Sequence, residues 1–393
     1  MKKTIEQVIA AAKKGAGPAA RQELAVLQKL SAIDCGTGNE PGNKKVVEII
    51  EQELRSIQGI EIERVYAPGF GIHLIARLRP ENPAGKILLN AHMDTVFLPG
   101  DTAAHPYHED GDTAYGLGIA DCKGGVLVAI HAVKIMQQAG MLPNKEIVFL
   151  FNCDEEKGTP TGHAAFDKEI PGAEMAFVFE PARAENGVLT SRKGSCKIKM
   201  EVFGKKAHSG VNYLDGRSAT VELAHKIMRL YESNDNERGL QFNVYDLGTG
   251  HDGAGTVAGY ASASVSVRIA SAKDVDIVRQ ILSRVESEPY LPDTKCSICI
   301  EKVTPPMERT AANLALYQRV YRAGSLLDQP LPEQSSGGSG DASYFSSCGV
   351  PTVDGLGPYM YQIHCTNEAL RISSLEEKTC LFAVVLGLLD AES

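Results

Sequence analysis

Residues 125–154 read GVLVAIHAVKIMQQAGMLPNKEIVFLFNCD. The first half is an apolar run of helical length that stops at Gly140 and Pro143, residue types that end helices. The second half, EIVFLFNCD (146–154), is short and almost wholly apolar, as a strand buried on both faces is. A helix feeding such a strand is one unit of an α/β sheet, and the flanks extend it. KILLNAHMD (86–94) comes before and MAFVFE (175–180) after, both strand-like, while EIERVYA (61–67) and HLIARLRP (73–80) supply further strands. Residues 1–58 read as two helices with turn signals at GTGNEPGNKK (36–45) between them. Strands alternating with helices predict an α/β sheet covered on both faces.

Beyond Glu180 the pattern changes. CKIKMEVF (196–203) alternates polar and apolar residues, the mark of a half-buried strand. SATVELAHKIMRLYES (218–233) is an amphipathic helix, QFNVYDLG (241–248) and SASVSVRIA (262–270) are strands, VDIVRQILSRVESE (275–288) is a helix and CSICIEKV (296–303) a strand. The order β-α-β-β-α-β is that of a ferredoxin-like unit. The α/β character resumes with LALYQRVYRAG (314–324), PTVDGLG (351–357) and a helix from Ser374. We therefore expect one α/β domain, residues 1–189 and 303–393, interrupted by an α+β insert at 190–302.

The composition agrees with two folded domains. The chain has 393 residues, 43% of them apolar and 23% charged, which is too long for one core and too apolar for disorder. Forty basic against 49 acidic residues leave a formal charge of −9, a poor balance for nucleic acid or an anionic membrane. No apolar run reaches the roughly 18 residues of a membrane-spanning helix. The start, MKKTIEQVIAAAKKG, lacks a secretory pattern, so a cytoplasmic protein is expected. Nine scattered cysteines suit reduced thiols rather than a disulfide framework. Cys296 and Cys299 form a lone CxxC on a strand, where residues three apart face opposite ways.

Four clusters carry chemistry. In LLNAHMDTVF, His92 and Asp94 sit two apart at a strand end, so they share a face; His92 suits a metal and Asp94 the other ring nitrogen, or both are incidental polar residues at a surface strand end. In AYGLGIADCKGG, Asp121 follows a glycine-rich loop and precedes a helix; it reads either as a carboxylate bridging two cations or as an N-cap. In FLFNCDEEKGT, Glu155 and Glu156 follow an apolar strand. Adjacent carboxylates repel unless a cation separates them or one holds a proton, so a general base beside a metal ligand would explain the pair; a solvated acidic turn is the bland alternative. Glu180 ends the strand in VFEP, and His364 lies in YQIHCTNEAL after the turn GLGP. Mixed histidine and carboxylate ligands suit zinc, with cobalt or manganese as substitutes. Shared ligands suggest two metals roughly 3.5–4 Å apart.

Together HMDTVF, AYGLGIADCKGG, DEEKGT, FEP, GKKAHSG and the GLGP–His–x–x–x–Glu ending resemble the dinuclear-zinc metallopeptidases. That family includes glutamate carboxypeptidases, aminoacylases, succinyl-diaminopimelate desuccinylase, acetylornithine deacetylase and peptidase T. The match runs from about Leu88 to Glu368 and is nearest the glutamate carboxypeptidase branch. The resemblance implies a zinc-peptidase-like catalytic domain, a mixed sheet flanked by helices, with the insert as a ferredoxin-like dimerisation domain. It implies two zinc ions, with His92 and Glu180 on one, Glu156 and His364 on the other, and Asp121 bridging. Glu155 would be the general base, Asp94 would orient His92, and His208 would reach the other subunit's site in a homodimer. Arg268 and Gly338, in the loop SSGGSG (335–340), would contact substrate. The implied substrate is a small peptide or N-acyl amino acid whose amide adjoins a free carboxylate. A deacylase or dipeptidase is the alternative reading, and a non-catalytic binding protein on the same fold a distant one.

This chain departs from the family pattern in places. Gly255 and Ala258 stand where Asn and Pro are usual, and Pro305–Pro306 leaves Arg309 as the nearest arginine for a C-terminal carboxylate. Cys122 stands where Met or Asp is common, and Cys365 where Ser or Thr is. GTGHDG (248–253) fits a dinucleotide fingerprint only formally, because no βαβ unit surrounds it. His105, His108, His163 and His251 read as solvated loop residues, and His73, His131 and His225 as packed or partly exposed.

Overall fold

The computed structural model describes residues 4–183, 186–250 and 253–390. Met1–Lys3 and His251, with part of GTGHDG, lie outside the described residues. The chain divides into two compact units, Met1–Thr190 with Arg309–Ser335 and Gly340–Ser393, and Ser191–Glu308 with Ser336–Ser339.

The first unit opens with α1 (Ile5–Ser31) and α2 (Glu40–Leu54). Helix α2 starts inside the stretch read as turn, because Asn39 caps it by accepting the Gly42 N–H and Pro41 fits the first helical turn. There follow β1 (Glu61–Ala67), β2 (Gly71–Leu78), β3 (Lys86–His92), α3 (Asp101–Ala104), β4 (His108–Asp110) and β5 (Thr113–Tyr115). Next come α4 (Gly125–Gln138), β6 (Glu146–Asn152), α5 (Gly162–Phe166), β7 (Ala173–Val178) and β8 (Val188–Arg192). The second unit contains β9 (Gly194–Phe203), α6 (Ala219–Glu232), β10 (Gln241–Thr249), β11 (Tyr260–Ile269), α7 (Asp274–Ser287) and β12 (Lys295–Thr304). The chain then forms α8 (Ala311–Leu326), β13 (Glu333–Ser336), α9 (Asp341–Ser347), β14 (Thr352–Val353), β15 (Met360–Gln362), β16 (Ala369–Arg371) and α10 (Ser373–Leu388).

The first unit is built on a six-stranded sheet of order β1-β2-β6-β3-β7-β14. Its first two pairings are antiparallel, and β6, β3, β7 and β14 run parallel. The parallel strands are buried on both faces, which is why they read as continuous apolar runs. Helices α1, α4 and α10 pack on one another, and Phe382 of α10 lies edge-on to Phe177 and Phe179. Burial holds α4: Val126–Ile130 are fully enclosed, each large side chain worth about 1.5–3 kcal/mol, against roughly 1 kcal/mol for a cap. Its N-cap is Gly124, with no side-chain hydrogen bond, so Asp121 does not cap this helix.

The second unit has the sheet order β10-β11-β9-β12, all neighbours antiparallel, the arrangement the β-α-β-β-α-β reading predicts. One face carries Cys196, Ile198, Met200, Val202, Val265 and Val267, and packs with Leu223 and Leu230 of α6 and Val278 and Leu282 of α7. Strands β10 and β12 are its edges, and each carries a bulge. Among the described residues no helix is long and apolar enough to cross a membrane, and all nine cysteines are free thiols.

Candidate metal centre

Parallel pairing brings three strand ends level. His92 closes β3 opposite Asn152, the last residue of β6, and Asn90 pairs with Val178, the last of β7. Glu155 and Glu156 lie just past β6, and Glu180 just past β7, so all three carboxylates gather at the carboxyl edge of the sheet, where α/β folds place ligands. Asp121 arrives from the loop before α4. Gly118 turns that loop at φ +74°, and a side chain there would strike Thr95. Gly125 lets α4 start against Phe179, where an added Cβ would sit 1.9 Å from the carbonyl oxygen.

Asp94 ties the site together. Its backbone carbonyl lies 3.0 Å from His92 Nδ1, which makes that nitrogen the donor and leaves Nε2 with a lone pair. Its carboxylate accepts the amides of Glu155 at 3.2 Å and Glu156 at 3.3 Å, and the Thr37 hydroxyl at 2.6 Å. His92 Nε2 then faces Asp121 Oδ1 at 2.9 Å and Glu180 Oε1 at 3.5 Å. His364 Nε2 lies 3.2 Å from Asp121 Oδ2 and 3.3 Å from Glu156 Oε2. Two donor groups result, each with its ligand atoms within 4.8 Å of one another: His92, Asp121, Cys122 and Glu180, and Asp121, Glu156 and His364. Asp121 belongs to both.

This donor set fits divalent cations. Lone pairs of histidine and carboxylate converge in both groups, those of His92 and Asp121 buried, which costs several kcal/mol per ion unless a cation lies between them. The ionisations express the same demand. Although burial opposes it, Cys122, Asp121, Asp94 and Glu180 hold His92 well above the ordinary imidazole range. Hydrogen bonds to Asp121 and Glu156 push His364 up to about 10. Burial would raise Asp121, but His364 and His92 keep it well below the usual carboxylate range. Glu155 moves the other way: loss of solvent, then Glu180, Asp341 and Glu156, raise it well above a normal carboxyl, against the pull of His92. Two adjacent glutamates thus sit in different electrostatic settings, one among the donor atoms and one poised to hold a proton.

Three supports went unread in the sequence. Glu368, buried and four residues past His364, accepts the amides of Gly118, Ala120 and Asp121 at 2.8–3.0 Å, so it fixes the backbone that carries Asp121. Burial still pushes it up to about 8. Thr37 braces Asp94, and Asp341, whose charge acts on Glu155, accepts the Thr159 hydroxyl. The glutamate of the His–x–x–x–Glu ending was the one available signal.

His208, Arg268 and Gly338 lie in the second unit, and Arg309, His163, His73 and His131 in the first. His208 is exposed; its Nδ1 accepts the amides of Gly210 and Val211, both at 3.1 Å, which leaves the proton on Nε2. Arg268 lies on β11 across from Gln241 and Ser195, on the sheet face away from the helices. The Gly338 carbonyl accepts from Arg192 at 3.2 Å. Arg309 is engaged in a two-point ion pair with Glu333, at 2.6 and 2.8 Å. His163 departs from its loop reading: it sits in α5 and stacks on Tyr344, with ring centroids 3.7 Å apart. His73 and His131 are fully packed.

Known proteins share this architecture. The profile described as Peptidase family M20/M25/M40 matches residues 88–387. Carboxypeptidase G2 of Pseudomonas sp. (strain RS-16) is 29% identical over 339 residues, 84% of this chain and 80% of that protein. A succinyl-diaminopimelate desuccinylase of Alkalilimnicola ehrlichii is 24% identical over 391 residues, 92% of this chain and 98% of that protein. Among solved structures, a tripeptidase from Staphylococcus aureus superposes with a TM-score of 0.80 at 21% identity, covering 94% of this chain and 98% of that one. With its profile match spanning most of the sequence and its donor groups at the sheet edge, the chain belongs to peptidase family M20/M25/M40 and is a metallo-hydrolase of that family.

Proposed function

We propose that the enzyme hydrolyses an amide bond next to a free carboxylate, in the manner of a carboxypeptidase, with two zinc ions per subunit. The sharing of Asp121 between two donor groups carries this reading. His92 and Glu180 would hold one ion, Glu156 and His364 the other, and Asp121 both. Cobalt or manganese would substitute. Bound there, the cations supply Lewis acidity at the scissile carbonyl. Glu155 takes a proton from the attacking water as the carbon–oxygen bond forms, then delivers it to the leaving nitrogen as the carbon–nitrogen bond breaks. Asp94 keeps His92 in the required tautomer and holds the backbone of both glutamates. His208 of a second copy donates its Nε2 proton toward the oxygen that becomes negative. Arg268 and Gly338 meet the substrate's carboxylate end. The small peptide or N-acyl amino acid substrate would be met in the cytoplasm.

The test pairs a chelator with a substrate panel. Metal-free protein should lose activity and regain it with zinc or cobalt. N-acyl amino acids and dipeptides with a free carboxylate should be cleaved, and their C-terminal amides should not. Full turnover without metal would refute the proposal, and a preference for N-acetyl or N-succinyl substrates over peptides would favour a deacylase.

A further inference from the structure

Cys122 follows the bridging aspartate, and its side chain is fully enclosed. Its sulfur is one of four donor atoms, with those of His92, Asp121 and Glu180, that all lie within 4.8 Å of one another. Without it, that group offers one nitrogen and two carboxylates. A zinc ion takes four donors, and thiolate is among those it favours. The opposite group, Asp121, Glu156 and His364, contains no sulfur. In the present arrangement the thiol donates to the carbonyl of Phe179 at 3.0 Å, the residue before Glu180, so it already sits at the rim of that donor group.

We propose that Cys122 supplies a sulfur donor to the metal ion held by His92, Asp121 and Glu180, which makes the two halves of the centre chemically unequal. The inference rests on the two-metal reading above. On binding, the S–H bond breaks, its proton passes to solvent, the contact to Phe179 is given up, and a sulfur lone pair forms the metal–sulfur bond; no electron is transferred. A soft donor favours zinc over manganese, which prefers oxygen ligands. The sulfur-bearing half should therefore fill first with zinc, and the half formed by Glu156 and His364 should accept harder ions more readily.

Cobalt(II) titration of metal-free protein provides the test. The wild type should show a sulfur-to-cobalt charge-transfer band in the near ultraviolet that saturates at one equivalent, while visible bands grow to two. Cys122→Ser should bind two equivalents without that band, and its zinc-over-manganese preference at the first equivalent should drop at least tenfold. Zinc-edge X-ray absorption of the wild type needs no variant and should show a zinc–sulfur distance of about 2.3 Å, averaging half a sulfur per zinc. Two bound cobalt ions without the band, a band that survives in Cys122→Ser, or a zinc edge with no sulfur overturns the inference and leaves the metal reading intact. Failure to bind cobalt at all overturns both.

Discussion

The sharpest division of labour falls between neighbouring side chains. Glu156 Oε2 lies 3.3 Å from His364 Nε2 within a donor group, whereas Glu155 is lifted well above a normal carboxyl by poor solvation and by Glu180. Glu155→Gln should keep the fold and the metal content and lower kcat by about 10²–10⁴-fold, the usual contribution of a placed base. Glu156→Gln should instead lower metal content, read by elemental analysis, with activity partly restored by excess zinc. If the two variants exchange behaviours, the roles are reversed. The sequence exposed these residues because acidic groups at the end of an apolar strand are conspicuous. Glu368 and Thr37 were not legible as supports, since their work is done through backbone amides and a carboxylate distant in sequence. Arg309 looked available for substrate only because its partner, Glu333, lies 24 positions away.

Helices α1, α2, α4 and α10 meet around a buried charge cluster that the chemistry does not use. His131 of α4 lies 3.0 Å from Glu23 of α1 and 3.3 Å from Glu53 of α2, and Glu23 also accepts the hydroxyl of Thr379 of α10. Lys134, on the same helix as His131, also acts on Glu53. Burial opposes protonation, but the two carboxylates prevail and raise His131 to about 9. Its folded pKa thus exceeds the unfolded value of about 6.5. The stabilisation is complete below about 6.5 and is lost as pH rises through about 9. It amounts to roughly 3 kcal/mol at most. Urea denaturation should show stability falling across that window, and His131→Gln should lower stability at pH 6 and flatten the slope. A wild type with no slope there refutes the assignment. Period and length revealed α4 and its neighbouring strands in the sequence, because burial decides them. The start of α2 was hidden, since Asn39 and Pro41 serve a turn and a first helical turn equally well. Asp121 carried the same ambiguity, and only the placement of Gly124 as the cap resolved it.

At the scale of the whole molecule, the second unit leaves apolar surface that its own helices do not cover. Met228 and Tyr231 of α6 are 56% and 66% exposed, and Tyr245 and Leu247 of β10 are 56% and 63% exposed. Helix α6 packs beside β10, which is a free sheet edge. Free edges pair or are blunted, and an edge flanked by exposed Tyr, Met and Leu is suited to pairing. A second copy presenting the same edge would satisfy its amides and cover these side chains, giving the homodimer expected of the insert. His208 would then serve the partner's metal centre, its Nδ1 engaged by two amides and its proton left on Nε2. A donor to the transition-state oxygen is worth about 3–4 kcal/mol, so His208→Ala should lower kcat by roughly 10²–10³-fold with metal content unchanged. The decisive experiment mixes two dead variants, His208→Ala and Glu155→Gln, under conditions where subunits exchange. Half of the subunits should then form mixed dimers, each with one intact Glu155 served by one intact His208, and activity should return to about a quarter of the wild-type value. If exchange is demonstrated and the mixture stays inactive, or if a stable monomer turns over at the full rate, His208 does not act across the dimer.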